Sequence, residues 1–224
     1  MDAGEHDVHL TNWSGTHECT PRTLYTPGSL AEVEALVAEH QARGRGLRPL
    51  GSGLSPNGIA FASDALLSMA GCRRVLAVDL ERRRVTVQAG ARVSDVTAAL
   101  KPHGLALPNY ASISEQQIGG LIQTGAHGTG ARLPPADGFV TALTLVTPAA
   151  GVLRLSQDDP DPRLFHFARL GLGALGVVTE VTLQCVPAHT LLEHTFVASR
   201  ADVIRNHNQR LRNSKHLKFV DALA

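Results

Sequence analysis

Three glycine-rich stretches hold most of the residues in this 224-residue chain that could bind a ligand. Residues 51–58, Gly-Ser-Gly-Leu-Ser-Pro-Asn-Gly, put three glycines, a proline and two serines into eight positions. Such a backbone must turn sharply and expose several amide groups, which makes it a candidate anion cradle. The second stretch, residues 111–130, sets Thr124, His127 and Thr129 among five glycines, so the chain can approach a flat or phosphorylated ligand closely. His127 has no second histidine or carboxylate at metal-ligand spacing, and no metal is expected. The third, Gly171-Leu-Gly-Ala-Leu-Gly176, spells the dinucleotide fingerprint G-x-G-x-x-G. That fingerprint works between a strand and a following helix. Here residues 163–170 read as helix and those from Val177 as strand, so a tight helix-to-strand turn is expected instead. No G-x-x-x-x-G-K-[ST] occurs, which excludes a Walker-type site. Together the first two loops suit a phosphorylated, extended ligand.

Regular elements must hold these loops. Ser29 and Glu32 form a capping box for a helix over 30–43, with Leu30, Val33 and Val37 on one face and Gly44 as its stop. A short strand is expected at 47–50. Paired strands are expected at 74–79 and 84–89, where Val75, Ala77, Val85 and Val87 alternate with other side chains. Residues 93–102 read as a short helix ended by Gly104, 140–146 with 152–155 as a second hairpin, and the β-branched run 177–186 as the strongest strand. A polar helix over 201–213 precedes an apolar tail at 218–224. Helices and strands interleaved with hairpins predict an α+β fold with mixed sheets rather than strict βαβ alternation.

Composition narrows the classes. With 43% hydrophobic and 18% charged residues the chain is neither disordered nor fibrous, and its length suits one large domain or two small ones. Lys and Arg total 21 against 20 Asp and Glu, so there is no electrostatic footprint for nucleic acid. Arg73-Arg74 and Arg82-Arg83-Arg84 read as solvated strand ends and a turn. No apolar run reaches the ~18 residues of a membrane helix. Cys19, Cys72 and Cys185 are scattered and odd in number, which argues against a disulfide framework or a zinc site and for a reducing compartment. The first twenty residues contain no Lys or Arg, unlike a signal or transit peptide, and Asn12-Trp13-Ser14 reads as a chance glycosylation sequon.

Residues 48–58, 116–135 and 171–186 resemble the FAD-binding, PCMH-type domain of the vanillyl-alcohol oxidase flavoprotein family, and within it the aldonolactone oxidoreductases. Asn12-Trp-Ser-Gly-Thr-His-Glu18 and Gly125-Ala-His-Gly-Thr-Gly-Ala-Arg-Leu-Pro-Pro135 carry the likeness furthest, and it extends over about 12–218. It implies an FAD domain of two α/β subdomains over 20–190, preceded by an N-terminal segment 1–19. Residues 191–224 would begin a cap domain that is largely missing. By the same resemblance, Gly51, Ser52, Gly53, Leu54 and Ser55 would hold the FAD diphosphate. Ala111, Ser112, Gly119, Gly120, Thr124, Gly125, His127 and Gly128 would line the ribityl and ring side, and Gly176, Val177 and Val178 would approach the adenine end.

Many relatives carry a flavin-bonded histidine where this chain has Leu54, so the resemblance implies non-covalent FAD. Ala111 stands where the oxidases of the group have glycine, and its methyl is expected to hinder oxygen. The branch most resembled is the plant type that oxidises L-galactono-1,4-lactone to ascorbate and passes electrons to cytochrome c. That implies a mitochondrial place at the inner membrane, on the intermembrane-space side, although no transit peptide is visible. The catalytic acidic and arginine residues are expected in the cap, with none in this chain; Glu115, Asp137 and Glu180, the carboxylates nearest the motifs, read as structural or surface groups. Two alternatives remain: an oxygen-using oxidase of D-arabinono- or L-gulono-1,4-lactone, and a non-catalytic assembly factor meeting complex I intermediates.

Overall fold

A computed structural model describes residues 4–130, 132–190 and 197–213, with backbone alone for 207–213. The expected apolar tail and residues 191–196 lie outside the described residues. Near the N-terminus, β1 (Leu10–Thr11) and β2 (Glu18–Cys19) form a small antiparallel pair. Next come β3 (Thr23–Tyr25), α1 (Leu30–Ala42), β4 (Arg48–Leu50) and β5 (Ala65–Ser68); the three strands make a parallel sheet in the order β3-β5-β4. Helix α1 forms as its capping residues require. Ser29 Oγ accepts from Glu32 N at 3.3 Å, and the Glu32 carboxylate accepts from Gly28 N at 2.8 Å. Gly44, at φ +60°, ends the helix in the left-handed conformation that glycine adopts cheaply. Val33, Leu36 and Val37 are buried, and α1 lies against the second sheet.

That second sheet is built from β6 (Val75–Asp79) and β7 (Arg84–Gln88), then, beyond α2 (Val93–Leu100), β8 (Leu105–Ala106) and α3 (Ile118–Gln123), from β9 (Val140–Thr147) and β10 (Gly151–Ser156), and, beyond α4 (Arg163–Ala168), from β11 (Val177–Gln184). Its order is β10-β9-β11-β7-β6, antiparallel throughout. A last strand, β12 (Val186–Pro187), pairs with β8, and α5 (Arg200–Asn213) follows. The expected mixed sheets are therefore two sheets of one sense each. The parallel one arises because α1 provides the crossover that parallel strands need, while hairpins supply the antiparallel neighbours.

Sidedness in β6 also differs from the simple alternation. A bulge between Val75 and Ala77 resets the register, so Val75 and Val78 pack on the core while Ala77 is exposed. Strand β9 is buried along most of its length, with Leu143, Leu145 and Val146 in the core. Its buried hydroxyls stay satisfied: Thr141 Oγ1 donates to Thr182 O at 3.3 Å, and Thr144 Oγ1 donates to Glu180 Oε2 at 3.4 Å. One cluster of buried side chains joins α1, both sheets, α2 and α3. Each fully buried valine or leucine in it contributes roughly 1.5–3 kcal/mol relative to exposure.

Among the described residues no helix is long and apolar enough to cross a membrane. Asn12 in the sequon is buried with its Nδ2 hydrogen-bonded to Ser55 O, so the folded chain offers no acceptor there. All three cysteines are free; Cys72 and Cys185 are buried and Cys19 half-buried. Burial pushes the Cys185 thiol up to about 11 and raises those of Cys19 and Cys72. At pH 8 about a thousandth of Cys185 would be thiolate. Ellman's reagent at pH 8 should therefore titrate Cys19 first in the native chain, and Cys72 and Cys185 after denaturation. Equal rates at all three thiols would contradict the burial.

Candidate functional site

The site is a cleft between the two sheets, walled by the first glycine loop, the start of α3 and the third glycine loop. It encloses about 920 Å³ of atom-free space, counting the solvent at its open mouth. Loop 51–55 follows β4 directly, so the parallel sheet delivers it to the cleft edge. Gly53 sits at φ +66° with open space where a Cβ would be. Among the described residues, the amide N–H groups of Ser52, Gly53, Leu54 and Ser55 have no protein acceptor. Four unpaired amides beside a cleft are a ready anion site. Ser52 Oγ is already committed, donating to Glu115 O at 2.7 Å.

Opposite stands α3. The sequence reads residues 118–123 as part of a glycine loop; they form a helix in which two adjacent glycines have different jobs. Gly119 faces the second sheet, where a Cβ would lie 3.0 Å from Ala89 Cβ and 3.2 Å from Ala89 O. Its N–H donates to that same oxygen at 2.8 Å. Gly120 meets nothing within 4 Å and opens on the cleft. The helix residue pattern carries no such distinction, because it comes from what each face meets.

The third loop is tied to α3 by Gln123. Its backbone O accepts from Leu172 N at 3.2 Å, its Oε1 from Gly173 N at 3.1 Å, and its Nε2 donates to Ala168 O at 2.6 Å. Leu172 has φ 54°, an uncommon left-handed value for leucine, and it lines the cleft. Gly176 is required by space, since a Cβ there would run into the Val146 carbonyl oxygen. With α4 before it and β11 after it, this G-x-G-x-x-G is the helix-to-strand turn expected from the sequence and lacks the strand-then-helix setting of a Rossmann site.

Of the expected cofactor residues, Gly51, Ser52, Gly53, Leu54, Ser55, Gly119, Gly120, Thr124, Gly176 and Val178 line this one cleft. Ala111, Ser112, Gly125, His127, Gly128 and Val177 do not. Val177 is buried on the α1 side, and His127 is exposed with Nδ1 2.9 Å from Gly128 O. Gly128 lies where the stretch 109–110 crosses it: a Cβ would clash with Asn109 Oδ1 and stand 2.7 Å from Tyr110 O. Ala111 and Ser112 follow that crossing directly. None of the three carboxylates near the motifs lines the cleft. Glu115 accepts from Ser114, Glu180 from Thr144, and Asp137 pairs with Arg169 at 3.6 Å.

Sequence reasoning passed over Gln116 and Gln117. Both line the cleft, and both have a buried Oε1 with no hydrogen-bond partner. Orphaned buried acceptors are costly, so they mark where a donor belongs. Arg48, Met69 and Leu172 were missed as well. The adjacent glutamines ahead of an apolar Ile118 were the one available signal.

The family of FAD binding domains matches residues 21–156. The chain belongs to that family. FAD is its cofactor, and the cleft fits that group: open amides for a diphosphate, two acceptors awaiting donors, and apolar Met69, Leu121 and Val178 for a flat ring. The mitochondrial L-galactono-1,4-lactone dehydrogenase of Arabidopsis thaliana is 54% identical over 215 residues, 96% of this chain and 35% of that protein. L-gulonolactone oxidase of Mus musculus is 36% identical over 220 residues, 98% of this chain and 50% of the oxidase. The chain thus spans about a third of the length of the plant relatives it matches. Among solved structures, an alkyldihydroxyacetonephosphate synthase shares the fold with a TM-score of 0.69 at 22% identity, over 77% of this chain and 33% of that one.

The two glycines of α3 should separate under substitution. Gly120→Leu is expected to keep the melting temperature while weakening FAD binding by roughly tenfold or more, about 1.4 kcal/mol. Gly119→Leu is expected to destabilise the FAD-free chain by about 1–3 kcal/mol through overpacking on Ala89. Urea unfolding and flavin fluorescence titration check both; an unfolded Gly120→Leu alongside a stable Gly119→Leu would reverse the assignment.

Proposed function

We propose that this chain holds the FAD of an aldonolactone oxidoreductase that converts L-galactono-1,4-lactone to ascorbate. The reading is carried by the amide-lined cleft in a chain 54% identical, over 96% of its length, to a dehydrogenase named for that lactone. Loop 51–55 would hold the diphosphate by backbone N–H groups, which suits a chain whose formal net charge is +1. Gln116 and Gln117 would accept hydrogen bonds from the cofactor's hydroxyl or N–H groups. Gly119, Gly120 and Thr124 would flank it from α3, with Gly176 and Val178 beneath. Gly125, His127 and Gly128 would reach the flavin side through the crossing at 109–112. Bound FAD supplies the two-electron acceptor; the protein orients it and controls access.

Leu54 carries no nucleophile, so the cofactor is held without a covalent bond. Ala111 would restrict oxygen and leave cytochrome c as the acceptor; the mitochondrial names of the plant relatives support a place at the inner membrane, on its intermembrane-space side. The lactone would be gripped by residues outside the cleft described here, because no carboxylate lines it. Contact with complex I assembly intermediates belongs to the same mitochondrial reading. The greater identity to the plant dehydrogenases than to the mouse oxidase favours lactone dehydrogenation over direct oxygen use.

Two measurements test the reading. The purified 224-residue chain should show flavin absorbance that passes wholly into the supernatant on acid precipitation; colour retained in the pellet would reject non-covalent binding. After dithionite reduction, bound flavin in Ala111→Gly should be reoxidised by air-saturated buffer roughly tenfold faster than in the parent chain, about 1.4 kcal/mol in barrier. An unchanged rate would remove Ala111 from oxygen control.

A further inference from the structure

Asn12 is 4% exposed and lies outside the matched residues 21–156. Its side chain makes four hydrogen bonds. Oδ1 accepts from Thr16 N at 3.0 Å and His17 N at 3.1 Å, folding residues 12–17 into a tight turn. Nδ2 donates to Thr16 Oγ1 at 3.2 Å and, across 43 residues of sequence, to Ser55 O at 3.0 Å. Two more bonds run the same way: Trp13 N donates to Gly53 O at 3.1 Å, and Thr16 Oγ1 donates to Pro56 O at 3.0 Å. Three carbonyls of the first glycine loop are therefore held from behind by one N-terminal turn.

We propose that residues 12–17 are a strap that sets the amide cradle, and that Asn12 is its positioning residue for the FAD diphosphate. In a trans peptide the C=O of one residue and the N–H of the next point in opposite directions. Fixing Gly53 O on Trp13 thus turns Leu54 N–H to the other side of the chain. Ser55 O and Pro56 O, anchored on the same turn, fix the exit of the loop. The loop needs this support because Gly53 lies at φ +66° and the amides from Ser52 to Ser55 have no acceptor to order them. An unanchored glycine turn would lose conformational freedom at the moment of binding, and the strap removes that cost beforehand. Asn12 acts through the loop rather than by touching the cofactor. Burial of an amide that accepts from two donors and reaches one distant carbonyl explains why this position is served by asparagine: alanine would release the turn at Thr16 and His17 and the anchor on Ser55 O together.

The proposal rests on the reading that loop 51–55 holds the diphosphate, and the test separates the two. The FAD-free chain is titrated with FAD, with ADP, which carries the diphosphate without the flavin, and with riboflavin, which carries the flavin without the diphosphate. Asn12→Ala should weaken FAD and ADP by the same factor, roughly tenfold or more, and leave riboflavin unchanged. Hydrogen exchange at the Trp13 N–H, which donates to Gly53 O, should accelerate in the FAD-free variant while β9 and β11 stay protected. Thr16→Val, which removes the bond to Pro56 O, should shift FAD and ADP in the same direction by less, and decides the matter if Asn12→Ala does not fold. Gly53→Val, strained at its positive φ but without a clash, reports on the loop itself. If Gly53→Val weakens ADP while Asn12→Ala and Thr16→Val bind it like the parent chain, the strap is overturned and the loop reading stands. If Gly53→Val also binds FAD and ADP normally, both are overturned. Equal losses for riboflavin and ADP would reduce Asn12 to a general structural role.

Discussion

The tripeptide Ala89-Gly90-Ala91 is the joint on which the cleft depends. Ala89 N donates to Thr179 O at 2.8 Å, extending β7 along β11, while Ala89 O receives Gly119 N at 2.8 Å from α3. Gly90 N donates to Cys72 O at 2.9 Å, and a Cβ on Gly90 would run into the Met69 carbonyl oxygen just past β5. Ala91 O accepts from Ile118 N at 2.9 Å. Three small residues therefore bring the antiparallel sheet, the segment after the parallel sheet and the cleft-lining helix α3 to hydrogen-bonding distance. Larger side chains at this joint would push the walls of the cleft apart, because backbone-to-backbone contact has no room to relax.

From that joint the cleft inherits its chemistry. It is lined mainly by backbone and small or apolar side chains, with Arg48 as its one lining cation among the described residues. The unpaired amides of 52–55 offer partial positive charge to an anion without a cationic side chain among them. The third loop closes the opposite wall under strain, since Leu172 keeps a left-handed φ with Gln123 bonded on both of its sides. Strain of about 1–3 kcal/mol persists where neighbours over-determine the backbone, and such places cluster at ligand walls.

Much of the fold was legible because its signals are local. The Ser29–Glu32 box, the Gly44 stop, the β-branched run of β11 and the Gly104 stop after α2 each specify an element within a few residues, and each element formed within one to three residues of the expected bounds. The reversed order around Gly171–Gly176 was also readable, since a helix before and a strand after are local patterns. Less legible were β5, a four-residue strand whose Ala65, Leu66 and Leu67 show no alternation because both faces are covered, and the bulge at Val75, which depends on its partner strand.

By itself, then, the sequence determined the elements, the glycine loops between them and the flavoprotein family, because capping, periodicity and loop chemistry are properties of neighbouring residues. Tertiary structure decided which glycine opens on the cleft and which packs on Ala89, which buried glutamines await a donor, and that Asn12 grips a loop 43 residues away. Those outcomes arise from the approach of backbone segments distant in sequence. Whether a side chain or an amide finds a partner is set by the space and the hydrogen-bonding groups that such an approach leaves.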